Sequence, residues 1–244
     1  MNVLLIALSI LPVILLMIYI YRQDKYQKEP IRSLIKAFVG GLLSIPLDLF
    51  IIYVIIHNLW VSDSVFYSAF WEAGFPEELS KLIIFLIFIW DDKNFDEWFD
   101  GIIYAAFIGL GFACWENIDY VLSAGGYSFT TGVITGVERA LLSVPAHFLF
   151  GVVLGYFLSM AKFNKRKRGR YILIGLLTAA GCHGLFDWIL MVQENVSPVV
   201  SVVLTILFYV GDFFLWRLGI KFIRKQQENS RLQAEEVQVP TTEQ

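Results

Sequence analysis

Charge is scarce in this 244-residue sequence: Asp, Glu, Lys and Arg together make up 17% of it, against about 25% in an ordinary soluble domain. Beside that scarcity stand 57% hydrophobic and 16% aromatic residues. That is more apolar surface than one soluble core can hide, so lipid is the expected solvent. There is no basic stripe, because the Lys and Arg residues fall in short clusters between apolar runs and the formal net charge is −3. Nucleic acid is therefore excluded as a partner. There is no disulfide framework either. The two cysteines, Cys114 and Cys182, lie inside apolar stretches, where a thiol behaves as a small hydrophobe. No basic segment precedes the first apolar run, residues 2–21, and that run is as long as a bilayer crossing, so it is expected to be a retained helix and not a cleaved signal.

What the sequence does have is long hydrophobic runs. A crossing needs about 20 apolar residues, and runs of that kind fall at about 2–21, 34–57, 70–90, 101–122, 138–160, 171–192 and 197–219. The expected fold is all-α, a polytopic transmembrane bundle of about seven helices. Arg22, Lys25, Lys28 and Arg32, then Lys162 through Arg170, then Lys221, Arg224 and Lys225 occupy alternate connections. The excess of positive charge on cytoplasmic loops puts the N-terminus outside and the C-terminus in the cytoplasm. Residues 58–69, 123–137 and 193–196 lack Lys and Arg, as external loops should, and Gly125-Gly126 marks the second as flexible. Residues 1–220 read as one transmembrane domain with a core at about 70–190, and 221–244 as a disordered cytoplasmic tail.

Several ionisable residues fall inside these runs, where their cost makes them candidates for function. The third run carries Glu77, Glu78 and Lys81, the fourth Glu116, Asn117 and Asp119, the fifth Arg139 and His147, the sixth His183 and Asp187. A helical rise of about 1.5 Å per residue puts Glu78, Glu116, His147 and His183 at similar depth in the outer half of the bilayer. Residues four apart share a face, which pairs Glu77 with Lys81 and His183 with Asp187. Pro76 lacks a backbone donor and is expected to start or kink the third helix beside the site. Crowded, desolvated carboxylates of this kind suit a general base that activates water. The histidines could share its proton, stabilise an oxyanion or bind a metal. Asp48 is an intramembrane acid with no assigned partner, His57 reads as an interfacial residue without a role, and Arg139 reads as an anchor or as a partner of a site carboxylate.

In their order and spacing, Glu77-Glu78-x-x-Lys81, Phe99-Asp100-Gly101-x-x-Tyr104, Gly109-x-Gly111-Phe112-Ala113-x-x-Glu116-Asn117, Arg139 with His147-x-x-x-Gly151, and His183-Gly184-Leu-Phe-Asp187 resemble the PrsW family of bacterial membrane proteases, within the superfamily of the CAAX prenyl endopeptidases. The resemblance covers about residues 70–190. It implies a membrane-embedded endopeptidase of the bacterial cytoplasmic membrane that cuts a single-span membrane protein, such as an anti-sigma factor, near its extracytoplasmic side. Carried onto this chain, it makes Glu77, Glu78, Glu116, His147 and His183 the catalytic set, with Lys81, Asn117, Arg139 and Asp187 in support. Zinc is the candidate cofactor, with Glu116, His147, His183 and Asp187 as its candidate ligands. The chain departs from the prenyl-protease pattern at Glu116, where those enzymes tend to have His, and at Gly151, where they tend to have Asn.

A proton- or ion-coupled transporter is the rival from another class, since buried Glu, Asp and His also build relays. The sequence shows no inverted repeat of the kind many carriers use.

Overall fold

The computed structural model describes residues 2–238, which form helices in the order α1 (Asn2–Gln23), α2 (Ile31–Phe50), α3 (His57–Leu59), α4 (Val65–Ala69), α5 (Phe75–Phe88), α6 (Asp100–Tyr127), α7 (Phe129–Leu141), α8 (Ser143–Phe163), α9 (Arg168–Val192) and α10 (Pro198–Gln238). Six helical runs are long and apolar enough to cross a bilayer. The third expected crossing is helical too, but it is built differently. It joins α4 to α5 through a π-turn, Phe70–Gly74, and it carries Glu72, Glu77, Glu78 and Lys81.

The bundle is organised around α6 and α8, the two most buried helices. Every residue of α6 from Asp100 to Cys114 is buried, as is every residue of α8 from Val144 to Gly155. Small residues let their backbones meet. A Cβ on Gly109 would lie 2.8 Å from the His147 carbonyl, and one on Gly151 would lie 2.7 Å from that of Ala105. Such close approach is the usual way helices pack when lipid removes the hydrophobic drive between them. It also accounts for Gly151, where a side chain would collide with α6.

Two expectations about the ends of helices differ from what is observed. Residues 123–137 are helical instead of forming a flexible loop, with a single break at Ser128. The Ser128 side chain caps α7 by accepting from the Thr131 N–H at 3.0 Å, and Gly132 on α7 fits against Gly125 on α6. Likewise α10 continues as helix through 221–238, where composition suggests disorder, while 239–244 lie outside the described residues. Tertiary ties hold it. Gln226 donates to the Tyr156 carbonyl at 3.2 Å, Gln227 to that of Gln23 at 2.6 Å, and Ser230 Oγ accepts from the Phe99 N–H at 3.0 Å.

That strap closes over an unusual cluster at the same end of the bundle. Asp24, Glu29, Glu97 and Asp100 are at most 5% exposed, and each keeps one carboxylate oxygen without a partner. Asp100 holds the start of α6 by accepting from the Asp96 and Glu97 N–H groups at 2.9 and 2.6 Å, and Tyr104 donates to Glu29. Among the described residues no Lys or Arg pairs with any of the four. Burial, reinforced by the neighbouring carboxylates, raises both Glu29 and Glu97 to about 8. A carboxyl raised in the folded state holds its proton there while the unfolded chain has lost it. Stability is therefore greatest near the unfolded value of 4.5 and declines as pH rises toward about 8. The melting temperature of the purified protein should fall steadily between those limits, and Glu29→Gln with Glu97→Gln should flatten the slope. A melting temperature that climbs over that interval would show that the cluster is ionised.

Candidate active site

The site is assembled where the π-turn delivers α5 against α6, α8 and α9. Pro76 at the start of α5 has no N–H to give, so the chain cannot run through it as a regular helix, and the wider turn Phe70–Gly74 takes up the difference. Gly74 sits directly on α9. A Cβ there would fall 2.6 Å from the Gly184 nitrogen and 2.8 Å from its Cα. This contact places the start of α5 beside His183.

Around that point the residues form one connected network. Lys81 Nζ lies 2.8 Å from Glu78 Oε1, 3.2 Å from Glu77 Oε2 and 3.3 Å from His147 Nδ1, and 4.0 Å over the Phe112 ring. His183 Nδ1 meets Glu78 Oε1 at 3.1 Å, while its Nε2 lies 3.3 Å from Asp187 Oδ2 and 3.8 Å from Glu77 Oε2. His147 Nε2 meets Glu116 Oε2 at 2.8 Å. The two imidazoles stand edge to face with centroids 5.1 Å apart, and His183 stacks on Phe150 at 4.6 Å. Glu77, Glu78, Lys81, His147 and His183 are all buried. The predicted residues from four helices therefore do meet at one level.

Their positions are not equivalent. A cavity of about 360 Å³ is lined by Glu77, Glu116, His147, His183 and Asp187, with Tyr120 and Arg139 at its wall. Glu78 and Lys81 do not line it, and they sit behind Glu77 in the packed interior. Of the adjacent pair, Glu77 is thus the acid that faces open space, and Glu78 the one that holds Lys81 and His183 in place.

A second tier supports Glu116. The Nη2 of Arg139 lies 2.9 Å from Glu116 Oε2 as an ion pair, without an aligned hydrogen bond. Its Nε donates to Asn117 Oδ1 at 3.0 Å, its guanidinium covers Tyr120 at 4.1 Å, and Asn117 in turn donates to the Ser9 carbonyl of α1 at 2.8 Å. Arg139 therefore joins α7, α6 and α1 around one carboxylate. Arg139→Met should lower turnover by about 10- to 100-fold through a misplaced Glu116, with Arg139→Lys restoring part of the loss. Turnover unchanged in Arg139→Met would remove this role.

The structure adds to three of these readings. His57 is not idle: its Nε2 lies 2.8 Å from Glu72 Oε1, and Ser68 Oγ donates to Glu72 Oε2 at 2.9 Å. Glu72 lines the cavity and went unnoticed in the sequence because five residues separate it from Glu77. In a regular helix that spacing points elsewhere, and the extra residue of the π-turn brings it round. Asp48 is buried in α2 with Oδ1 unpartnered, and among the described residues it makes no hydrogen bond to the cluster.

The third concerns the metal set. The buried trio whose ligand atoms all lie within 4.8 Å of one another is Glu77, His147 and His183. Glu116 and Asp187, expected as ligands, instead hold the outer nitrogens of the two histidines. Two histidines and a carboxylate, each imidazole braced by a further carboxylate, are a donor set that suits catalytic zinc. The trio fits such an ion in type and number, but Lys81 Nζ stands 3.3 Å from His147 Nδ1 and 3.2 Å from Glu77 Oε2, so its ammonium would have to withdraw as the ion enters.

Comparison with known proteins agrees with this chemistry. The model of the PrsW family of intramembrane metalloproteases matches residues 29–211. The chain is 34% identical over 237 residues to the protease PrsW of Clostridioides difficile, covering 93% of each chain. It is 34% identical over 232 residues to that of Geobacillus kaustophilus, covering 94% of this chain and 95% of the relative. The protease PrsW of Bacillus subtilis is 32% identical over 231 residues, 93% of this chain and 98% of its own. No solved structure matches the chain. The family is one of hydrolases, so the enzyme reading prevails over the carrier. With six helices able to cross a bilayer and the match spanning most of the sequence, the chain belongs to the PrsW family of intramembrane proteases and is a multi-pass protein of the bacterial membrane.

Proposed function

We propose that the chain is an endopeptidase that cuts a single-span membrane protein, such as an anti-sigma factor, near its extracytoplasmic side, with Glu77 as the base that activates water. The observation that carries this reading is the asymmetry of the glutamate pair: Glu77 lines the cavity and Glu78 does not. The basic connections support an outside N-terminus. In that orientation the cavity wall residues Ser68, Tyr120, Arg139 and Met191 lie toward the outer surface.

Water held in the cavity loses a proton to Glu77 as its oxygen attacks the scissile carbonyl carbon, and the same proton then passes to the departing amine nitrogen. His147 and His183 face the cavity with their ring nitrogens taken by Glu116, Lys81, Glu78 and Asp187, so Arg139 and Tyr120 at the cavity wall are the donors available to the oxyanion that forms at the carbonyl oxygen. Glu116 and Asp187 fix the ring orientations of those histidines. Lys81, clamped between the two glutamates, offsets the negative charge that would otherwise accumulate in a dry site. Were zinc held by Glu77, His147 and His183, it would supply Lewis-acid polarisation and a lower pKa for water, and Glu77 would then serve as a ligand in place of the base.

The test uses purified full-length protein in detergent with a single-span anti-sigma factor from the same cell. The expected result is one extracytoplasmic cut, absent in Glu77→Gln. An intact anti-sigma factor after prolonged incubation with active wild-type protein would overturn the substrate. Metal content and chelator sensitivity of the same preparation test the zinc: about one ion per chain, lost together with activity, is the expected pairing. Full activity in metal-free protein would remove it.

A further inference from the structure

The long helix α10 is held at both ends, with Thr205 donating to Gln193 Oε1 at 2.9 Å near its start. Its far part is tied through Gln226, Gln227 and Ser230, yet between residues 198 and 218 only Phe208 is buried. There a groove of about 100 Å³ runs between α9 and α10. Its lining is apolar with one exception, Asp212, a half-buried acid well inside a membrane-crossing helix with no side-chain hydrogen bond or ion pair among the described residues. Lipid tails can fill an apolar groove but offer a carboxyl no partner.

The groove and the catalytic cavity share one lining side chain. Phe186 lines both, packing on Phe208 at 5.0 Å on one side and on Phe150 at 6.1 Å on the other, and Phe150 stacks on His183. Cys182 in the groove immediately precedes His183 in the cavity, so the two spaces share a depth. Space for a backbone is there as well. A Cβ on Gly181 or on Gly211 would meet nothing within 4 Å, which leaves room for a helix to approach closely.

We propose that the groove between α9 and α10 is the docking site for the transmembrane helix of the substrate. That helix places a hydrogen-bonding side chain against Asp212 and passes its scissile segment to the cavity at Phe186. The proposal rests on the endopeptidase reading above and deepens it. The sparsely buried stretch of α10 leaves the groove open to an incoming helix, and the ties at both its ends keep α10 in register beside α9.

The experiment uses full-length protein carrying Glu77→Gln to retain uncut substrate, with the single-span anti-sigma factor as the probe. A photo-crosslinking amino acid replaces Leu185 at the groove or, as a control, Ile87 on α5, which is 68% exposed. Crosslinks are expected at 185 and not at 87. In the otherwise wild-type enzyme, Asp212→Leu should slow cutting of the full-length substrate about tenfold, while a short soluble peptide spanning the scissile bond is cut at the wild-type rate. Crosslinking as strong at 87 as at 185, or full-rate cutting by Asp212→Leu, overturns the groove and leaves the protease reading standing. A wild-type enzyme that leaves the anti-sigma factor intact overturns both.

Discussion

Replacing Glu77 by Gln is expected to remove activity while leaving stability nearly unchanged, and replacing Glu78 by Gln is expected to lower both. The two residues are adjacent and chemically identical, so the difference comes from environment alone. Glu77 faces the cavity and reaches Lys81 at 3.2 Å, while Glu78 is 0% exposed and holds Lys81 at 2.8 Å and His183 at 3.1 Å. Loss of a general base costs about 10²–10⁴-fold in turnover. Breaking one side of a buried ion pair costs on the order of 3–5 kcal/mol of stability, or roughly 10 °C of melting temperature in a chain of this length. Turnover of both variants on the anti-sigma factor, beside their thermal melts, separates the two roles. A Glu77→Gln protein that cuts at the wild-type rate would end the assignment, and a Glu78→Gln protein that melts like wild type would show that its ion pairs carry no structural weight.

The convergence of Glu78, Glu116, His147 and His183 was legible in the sequence because it follows from two fixed quantities, the helical rise and the thickness of the hydrocarbon. Charged residues at similar depth on neighbouring spans have few places to go other than the bundle interior. The division of labour between the two glutamates was not legible. It depends on the rotation of α5 about its axis, which the π-turn at Phe70–Gly74 resets by one residue. The same turn hides Glu72, and through it the pairing of His57. The grouping of Glu77 with His147 and His183 was hidden for a related reason: sequence gives the depth of Glu116 but not its direction, which is toward the His147 Nε2 and the Arg139 guanidinium. At the other end of the molecule, the helix at 221–238 escaped a compositional reading because polar side chains such as Gln226 and Ser230 find buried partners there instead of water.

If the π-turn sets the site, its contact with α9 should be the most sensitive packing point near the chemistry. Gly74→Ala adds a single methyl group, but that methyl would meet backbone, the Gly184 nitrogen at 2.6 Å and its Cα at 2.8 Å, with the Ala180 carbonyl at 3.0 Å. No flexible side chain can give way, so α5 and α9 must part. Any parting is read directly by the distance between His183 and the Glu77–Glu78 pair, which the two helices carry separately. Overpacking costs typically 1–3 kcal/mol, while a shift near 1 Å at a catalytic group costs about 100-fold in rate. Gly74→Ala should therefore lower turnover about 100-fold with a melting temperature reduced by only a few degrees. Gly126→Ala, where an added methyl meets nothing within 4 Å, should change neither. Equal activity in the two alanine variants would mean that the turn and α9 are free to move apart without disturbing the site, and that the spacing of the glutamates from His183 is set elsewhere.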